Sequence, residues 1–173
     1  MKTNIALIGF MGTGKTVAGK LLAAKLGKKF IETDNIIEQK AGKSIPEIFR
    51  EDGEISFREL EIEATREAAN EQNAVIACGG GMVLNKINID RLKEGCIIVC
   101  MTASPQVILK RTSGDKDERP LLAVSDRAEQ IRELMKFRKP YYKRSADITI
   151  DTSGMSVDSV VGRIIGKVKD NDS

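Results

Sequence analysis

Short strand-like runs alternate with longer amphipathic stretches along the whole chain. The runs at 4–8, 29–32, 74–78, 97–101 and 147–150 predict strands, and the first is apolar enough to be buried on both faces. The stretches at 15–26, 34–40, 45–50, 55–70, 88–92, 105–112, 127–143 and 157–169 predict helices. This alternation indicates an α/β fold with a parallel sheet and helices on both faces, in a single domain over residues 1–173.

Local signals support two of the predicted helix starts. Ser44 and Glu47 fit a capping box with Pro46 in the first turn, and Ser104 precedes Pro105 in a similar way. Ligands of such sheets collect at the carboxyl ends of the strands. Residues that directly follow strands are therefore the first candidates for function.

Composition narrows the classes of function. With 173 residues, 41% of them hydrophobic and 31% charged, the chain is a globular, soluble domain without an apolar run long enough to cross a membrane. It has no histidine, which excludes Ser-His-Asp catalysis and leaves carboxylates, Lys and Tyr for proton transfer. A net charge of +3 and 4% aromatic residues give little support to nucleic-acid binding.

The cysteines and the first residues bear on the compartment. Cys78, Cys96 and Cys100 lie in or beside strand-like segments without zinc-site spacing, and their odd number argues against a disulfide framework, so we expect reduced core thiols. The first apolar run is interrupted too early for a signal peptide. We therefore expect a cytoplasmic protein.

Residues 9–16 read Gly-Phe-Met-Gly-Thr-Gly-Lys-Thr, a complete G-x-x-x-x-G-K-[ST] phosphate loop between a predicted strand and a predicted helix. Its glycines allow backbone N–H groups to surround phosphate oxygens at the start of the helix. Lys15 is expected to reach the β- and γ-phosphates, and the Thr16 hydroxyl to bind Mg²⁺. The motif predicts a protein that binds a nucleoside triphosphate.

Residues 112–126 interrupt the alternation of elements. This segment is mostly polar and carries Gly114, Arg119 and Pro120 between two predicted helices. Such a segment is either a flexible surface loop or a lid over a site. Arg119, in a protein that binds phosphate, favours the lid.

In switch and motor proteins with a phosphate loop, a middle strand usually ends in an Asp that serves Mg²⁺. The runs that end at Cys78 and Met101 are not followed by an acid, whereas Glu32 and Asp34 come at the end of the second strand. Alternate positions in an extended segment point to the same side, so one acid could serve the metal and the other a substrate hydroxyl. A helix N-cap at Asp34 is an ordinary alternative.

Three further features suggest the second substrate. Glu54, Arg58 and Glu61 share one helix face. They form either part of a substrate site or an exposed salt-bridge ladder. The triplet 79–81 consists of glycines, which permit a close backbone approach to a small polar molecule. Arg138 near the end of a long helix adds a second arginine.

These pieces together resemble the shikimate kinase family of bacteria and plants. They are the phosphate loop, Thr33-Asp34, the segment 49–54 with Phe57-Arg58 and Glu61, the triple glycine, Arg111 with Arg119-Pro120-Leu121-Leu122, Arg138 with Tyr141-Tyr142, and Asp151-Thr152-Ser153. They run in order over nearly the whole chain. The resemblance implies a nucleoside-monophosphate-kinase-like fold with five parallel strands. It also implies transfer of a phosphoryl group from ATP, with Mg²⁺, to shikimate, giving shikimate 3-phosphate on the chorismate route to aromatic amino acids.

The same resemblance implies a role for each matching residue. Lys15, Asp34 and Arg119 would be catalytic, and Thr16 with Glu32, the latter through water, would serve the metal. Nucleotide would be bound by Gly12, Thr13, Gly14, Lys15, Thr16, Val17, Arg111, Arg119 and Ser153. Shikimate would be bound by Asp34, Phe49, Phe57, Arg58, Glu61, Gly79, Gly80, Gly81 and Arg138, within a substrate segment of about 34–61 and under a lid of about 112–126. We expect a monomer that needs no nucleic acid or membrane.

Two points stay open at this stage. The family usually has Asp where this chain has Glu32, so the metal geometry is expected to differ there. Another small-molecule kinase of the same fold, acting on gluconate or a nucleotide, is the alternative enzyme, and a non-catalytic nucleotide-binding module is the alternative of a different class. The two arginines and the triple glycine favour a compact anionic polyol, and intact Lys15, Asp34 and Arg119 favour an enzyme.

Overall fold

The computed structural model describes residues 1–113 and 126–173. Their strands form one parallel sheet in the order β2-β3-β1-β4-β5. The strands are β1 (Asn4–Gly9), β2 (Lys29–Glu32), β3 (Ala74–Ala77), β4 (Cys96–Thr102) and β5 (Ile148–Asp151). The parallel five-stranded sheet is confirmed, with each strand within one or two residues of its predicted bounds.

Helices connect the strands and cover both faces of the sheet. They are α1 (Lys15–Leu26), α2 (Thr33–Ala41), α3 (Ile45–Glu51), α4 (Gly53–Ala69), α5 (Lys86–Gly95), α6 (Pro105–Thr112), α7 (Arg127–Ser145) and α8 (Val157–Asn171). Helix α5 is longer than the predicted 88–92, and a short 3₁₀ helix at Met82–Leu84 was not predicted. The predicted caps form, since Ser44 Oγ accepts from Glu47 N and Ser104 Oγ accepts from Val107 N.

Alternate residues of the central strands build two cores. Ala6 and Ile8 of β1 pack on one face with helices that include α6 and α7, and Ile5 and Leu7 pack on the other face with α1 and α8. A third, smaller cluster of Ile37, Ile48, Phe57 and Ala64 joins α2, α3 and α4 beside the sheet. This cluster holds the segment that was predicted to bind substrate.

The three cysteines are buried, as predicted for core thiols. Burial raises the pKa of Cys96 and of Cys100 to about 11 and raises that of Cys78 further. These thiols therefore stay protonated near neutral pH. Among the described residues, no helix is long and apolar enough to span a membrane.

Gly9 ends β1 where the chain must pass very close to β4. Its φ is 146°, and a β-carbon there would collide with the Met101 carbonyl oxygen. The chain turns at this point into the phosphate loop, at the carboxyl edge of the sheet. The strand order also brings the ends of β2 and β3 to this edge.

Candidate active site

The phosphate loop has the backbone that its sequence predicts. Gly12 and Gly14 have φ of 78° and 90°, in the region that glycine favours, and Gly14 directly precedes α1. Thr13 is buried, and its hydroxyl donates to the Phe10 carbonyl oxygen at 2.8 Å. The loop is therefore internally fixed in a turn that leads into the N-terminus of a twelve-residue helix, where an anion is favoured.

The Lys15 ammonium lies inside this loop. Its Nζ donates to the carbonyl oxygens of Gly9 at 2.7 Å and of Phe10 at 3.0 Å. These contacts hold a positive charge where the loop, α1 and the sheet edge meet. The prediction that Lys15 is at the centre of the phosphate site agrees with this position.

A cavity of about 310 Å³ opens beside the loop. Its walls come from the loop, from the start of α2 and from the residues after β3. Its lining includes these predicted site residues: Gly12, Gly14, Lys15, Thr16, Val17, Glu32, Asp34, Gly79, Gly80 and Arg111. The structure thus joins predicted nucleotide, metal and substrate residues around one space.

Glu32 and Asp34 both line this cavity. The extended geometry from which their proximity was predicted is wrong. Glu32 ends β2, but α2 begins at Thr33, so the two acids do not belong to one extended segment. Asp34 is not the N-cap either, because it lies in the first turn of α2. Thr33 is buried instead, where its hydroxyl accepts from Gly79 N at 3.2 Å.

Glu32 is joined to the phosphate loop. Its Oε1 accepts a hydrogen bond of 2.6 Å from the Thr16 hydroxyl. The two residues predicted to serve the metal are therefore in direct contact. Among residues 1–113 and 126–173, no group of three or more Cys, Asp or Glu could enclose a metal ion, so a metal at this point would need oxygen ligands from other sources.

Each glycine of the triplet faces a different predicted substrate group. A β-carbon on Gly79 would lie 3.0 Å from Asp34 Oδ1, and one on Gly80 would lie 3.5 Å from Arg138 Nη1. A β-carbon on Gly81 would lie 2.6 Å from both terminal nitrogens of Arg58. The triple glycine therefore brings main chain against the carboxylate and both guanidinium groups at once.

Arg58 is held by its own helix. Its Nη1 donates to Glu61 Oε1 at 2.9 Å, and its Nη2 lies 3.4 Å from Glu54 Oε1. The alternative of an exposed salt-bridge ladder is wrong for Glu61, because its side chain is only 1% exposed. Burial raises the pKa of Glu61, and Asp34 raises it further, against the opposing charges of Arg58 and Arg138.

Arg138 is 2% exposed, unusually buried for an arginine. Its guanidinium carbon lies 5.5 Å from the centre of the Phe10 ring, a cation–π contact. Its Nε and Nη1 have no hydrogen-bond partner among the described residues. Buried donors of this kind are costly unless they meet an acceptor, which points to an anionic ligand.

Two phenylalanines form an apolar wall next to Arg58. The ring centres of Phe49 and Phe57 are 4.8 Å apart, and Arg58 lies over the Phe57 ring at 5.2 Å. This wall belongs to the small cluster beside the sheet. It limits the directions in which the guanidinium can move.

A second cavity, of about 250 Å³, lies on the other side of the phosphate loop. It is lined by Gly14, Val17, Arg111 and residues that follow β5, among them Thr152 and Met155. Arg111 donates to Gly12 O at 3.1 Å and to Thr152 O at 3.3 Å. Arg111, which was predicted to bind nucleotide, therefore joins the phosphate loop to the residues after β5, and its flat guanidinium forms one wall of the cavity.

Ser153 is beside this cavity without lining it. Its Oγ accepts from Ser104 N at 2.9 Å, so it ties the residues after β5 to the start of α6. The neighbouring Thr152 connects more segments of the site. Its hydroxyl donates to Thr102 O at 2.9 Å and lies 3.3 Å from Thr13 O.

Two side chains that support the site, Thr33 and Tyr142, belong to the motifs of the resemblance, but no role of their own was predicted for them. Tyr142 is buried one helical turn after Arg138, and its hydroxyl donates to Gly80 O. Burial raises the pKa of Tyr142 to about 12, so the hydroxyl keeps its proton. The signals for these two residues in the sequence were the place of Thr33 directly after a predicted strand and that of Tyr142 one helical turn after Arg138. Arg119 and most of the predicted lid lie outside the described residues.

Known proteins give an independent comparison. The family model for shikimate kinase matches residues 11–169. A shikimate kinase from Caldanaerobacter subterraneus subsp. tengcongensis is 49% identical over 162 residues, which cover 94% of each chain. One from Pelotomaculum thermopropionicum is 45% identical over 168 residues, with 97% of this chain and 96% of the relative covered.

Solved structures agree with this comparison. A shikimate kinase from Acinetobacter baumannii in complex with shikimate is similar with a TM-score of 0.94 and 36% identity, over 99% of this chain and 95% of that one. A gluconokinase from Sinorhizobium meliloti has a TM-score of 0.61 at 15% identity, over 100% of both chains. At this level of identity, the similarity to the gluconokinase shows only that the two proteins share a fold.

Proposed function

The chain belongs to the shikimate kinase family, and we propose that it transfers the γ-phosphoryl group of ATP to the 3-hydroxyl of shikimate. The products are ADP and shikimate 3-phosphate, an intermediate of aromatic amino acid biosynthesis. The observation that carries the proposal is the glycine triplet. Its main chain packs against Asp34, Arg58 and Arg138 together, which suits one small ring that bears a carboxylate and hydroxyl groups.

The two arginines bind the carboxylate. Arg138 offers buried nitrogens without a described partner, and Arg58 is oriented by Glu61. Guanidinium groups grip carboxylates through paired hydrogen bonds, which fixes the orientation of the ring as well as its affinity. Phe49 and Phe57 provide an apolar wall beside Arg58.

Asp34 serves the hydroxyl that attacks. It lines the same cavity as Lys15, next to Gly79. A carboxylate at this point accepts the hydrogen bond of the hydroxyl, orients its oxygen and takes its proton as the new P–O bond forms. Asp34→Asn keeps the shape but removes the charge, so we expect turnover to fall by roughly 10²- to 10⁴-fold.

The nucleotide occupies the two cavities on either side of Gly14. Its phosphates lie at the phosphate loop near Lys15, and its base lies in the 250 Å³ cavity beside Arg111 and Thr152, where the walls are largely apolar. Lys15 neutralises negative charge on the phosphoryl group in the transition state. The resemblance to the family implies that Arg119 would add a second positive charge.

Thr16 and Glu32 fit a magnesium ion. Both carry oxygen donors, and their contact of 2.6 Å places a hydroxyl and a carboxylate together at the cavity. Mg²⁺ prefers oxygen ligands and is usually held by few protein groups together with water and substrate phosphates. When bound, the ion would neutralise charge on the phosphates of ATP.

We also infer that the protein acts as a monomer in the cytoplasm, without a nucleic-acid or membrane partner. The low aromatic content and a net charge of only +3 agree with a protein that binds small molecules.

A coupled assay of ADP release tests the proposal. Shikimate, gluconate and nucleoside monophosphates are offered separately with ATP and Mg²⁺. We expect turnover that depends on shikimate and is at least about 100-fold weaker with the others, because gluconate has no ring and nucleoside monophosphates have no carboxylate. Equal turnover with gluconate would favour the other kinase, and nucleotide binding without turnover of any acceptor would favour a non-catalytic module.

A further inference from the structure

A further cavity lies beside the candidate active site, on the α7 side of the sheet. It measures about 700 Å³ and lies between α7 and the β4–β5 half of the sheet. We call it the α7 groove and define it by Ala103, Pro105, Met135, Tyr142 and Thr149, which are among its lining residues. Its size is within the range of pockets that hold a small organic molecule.

The groove has an apolar interior and a basic rim. Arg132, Lys136, Lys139 and Lys143 recur along one face of α7 and all line it, without an acidic residue among the lining side chains. None of the four has a salt bridge to any described acid, although the charge of Arg132 is felt by Glu129 on the same helix. Four positive charges on one wall, without an acid among the lining residues, make the groove attractive to anions.

These features select the class of ligand. We propose that the α7 groove binds a small organic carboxylate with an aromatic ring, the ring against Met135 and Ala103 and the carboxylate toward Lys136 and Lys139. An apolar interior would leave the hydroxyls of a sugar phosphate without partners, which is costly. A nucleic-acid strand would need stacking aromatics along an extended surface, and the groove has only Phe10 and Tyr142, both buried.

The groove shares walls with the candidate active site. Phe10 packs under Arg138, Tyr142 donates to Gly80 O, and Thr13 belongs to the phosphate loop, and all three line the groove. A ligand there would touch the supports of the site without entering it. The proposal does not depend on the reaction that the enzyme catalyses.

Methionine methyl groups allow a test that separates the groove from the active site. Among the six methionines, Met135 lines only the groove, Met11 lines the 310 Å³ cavity and Met155 lines the 250 Å³ cavity, whereas Met101 lines both the groove and the 250 Å³ cavity. The protein is labelled with ¹³C at the methionine methyls and titrated with 1-naphthoate. We expect saturable shifts at Met135, with smaller shifts at Met11 and Met155.

Three comparisons decide whether charge and cavity are both used. The uncharged 1-naphthalenemethanol should bind at least about 5-fold more weakly. The double variant Lys136→Gln/Lys139→Gln should weaken naphthoate binding by about 3- to 20-fold, while the matched pair Lys167→Gln/Lys169→Gln on α8 should not. Thr149→Phe, which fills the groove from an exposed position on β5, should abolish the Met135 shift.

Several results would overturn the proposal. One is an unchanged Met135 resonance up to about 10 mM naphthoate, a concentration that would detect even millimolar binding. Another is equal binding of the uncharged analogue. A third is an equal loss in the α8 control pair, which would mean that only the overall charge matters. Larger shifts at Met11 or Met155 than at Met135 would place the ligand in the nucleotide site instead.

Discussion

Replacing Gly81 by alanine tests the idea that the triplet is shaped around the substrate groups. The backbone at Gly81 has φ of −98°, which alanine adopts readily. The added methyl would, however, lie 2.6 Å from Nη1 and Nη2 of Arg58. The guanidinium must therefore move by roughly 0.8 Å to reach an ordinary contact distance of about 3.4 Å.

That movement has a defined energetic consequence. The hydrogen bond from Arg58 to Glu61 is 2.9 Å long, and a shift of this size takes it beyond the range of about 2.7–3.2 Å. A hydrogen bond to a charged group contributes about 1.5–3 kcal/mol, and the binding site loses an arginine that is held in place. We expect kcat/KM for shikimate to fall by about 10- to 150-fold, mainly through KM, with KM for ATP within a factor of about two.

Coupled ADP release, with shikimate and ATP varied separately, measures both constants. The thermal midpoint of unfolding should fall by about 2–4 °C for each kcal/mol of the lost hydrogen bond, because the buried Glu61 carboxylate loses a partner. Gly166→Ala on α8 is the matched control, since nothing lies within 4 Å of its β-carbon position. It should leave both KM values unchanged and stabilise the protein by up to about 1 kcal/mol.

Two results would refute this reasoning. If Gly81→Ala leaves KM for shikimate unchanged, Arg58 does not contact the substrate from the position that the structure gives it. If the thermal midpoint instead falls further than the lost hydrogen bond explains and KM for ATP rises equally, the glycine serves folding. Both outcomes are distinguished from a general glycine effect by Gly166→Ala.

Three further changes test other contacts. Because burial raises the pKa of Glu61, the wild-type protein should lose stability relative to Glu61→Gln as the pH rises from about 4.5 through the raised pKa. Thermal unfolding of both proteins measures this, and a difference in stability that does not change with pH would contradict a shifted pKa. Tyr142→Phe removes the donor to Gly80 O, so the free energy of unfolding should fall by about 1–3 kcal/mol and KM for shikimate should rise more than KM for ATP. A loss of stability with both KM values unchanged would make Tyr142 purely structural. Glu32→Gln should raise the Mg²⁺ concentration for half-maximal rate about 10-fold or more, because Thr16 loses its charged partner. If Asp34→Asn shifts the Mg²⁺ requirement and Glu32→Gln does not, the metal and substrate roles of the two acids are reversed.

The sequence alone was sufficient for features that depend on local spacing. The alternation of strands and helices predicted a parallel sheet, the loop motif predicted its own backbone, and positions 54, 58 and 61 predicted the contacts of Arg58. In each case the geometry of a helix, a strand or a tight turn decides which neighbours meet. The interpretation of Glu32 and Asp34 reached the right cavity from a wrong local geometry, because α2 begins one residue earlier than expected.

Only the tertiary structure decided how distant segments meet. The order β2-β3-β1-β4-β5 places β3 between β2 and β1, so the glycine triplet stands between Asp34 and the phosphate loop. Packing of α7 against the sheet then buries Arg138 over Phe10 and brings Tyr142 to Gly80. The α7 groove arises in the same way, from the gap between that helix and β5. Such contacts join residues far apart in the chain, and no periodicity within a segment encodes them, since they depend on which strands are neighbours and on how the layers pack.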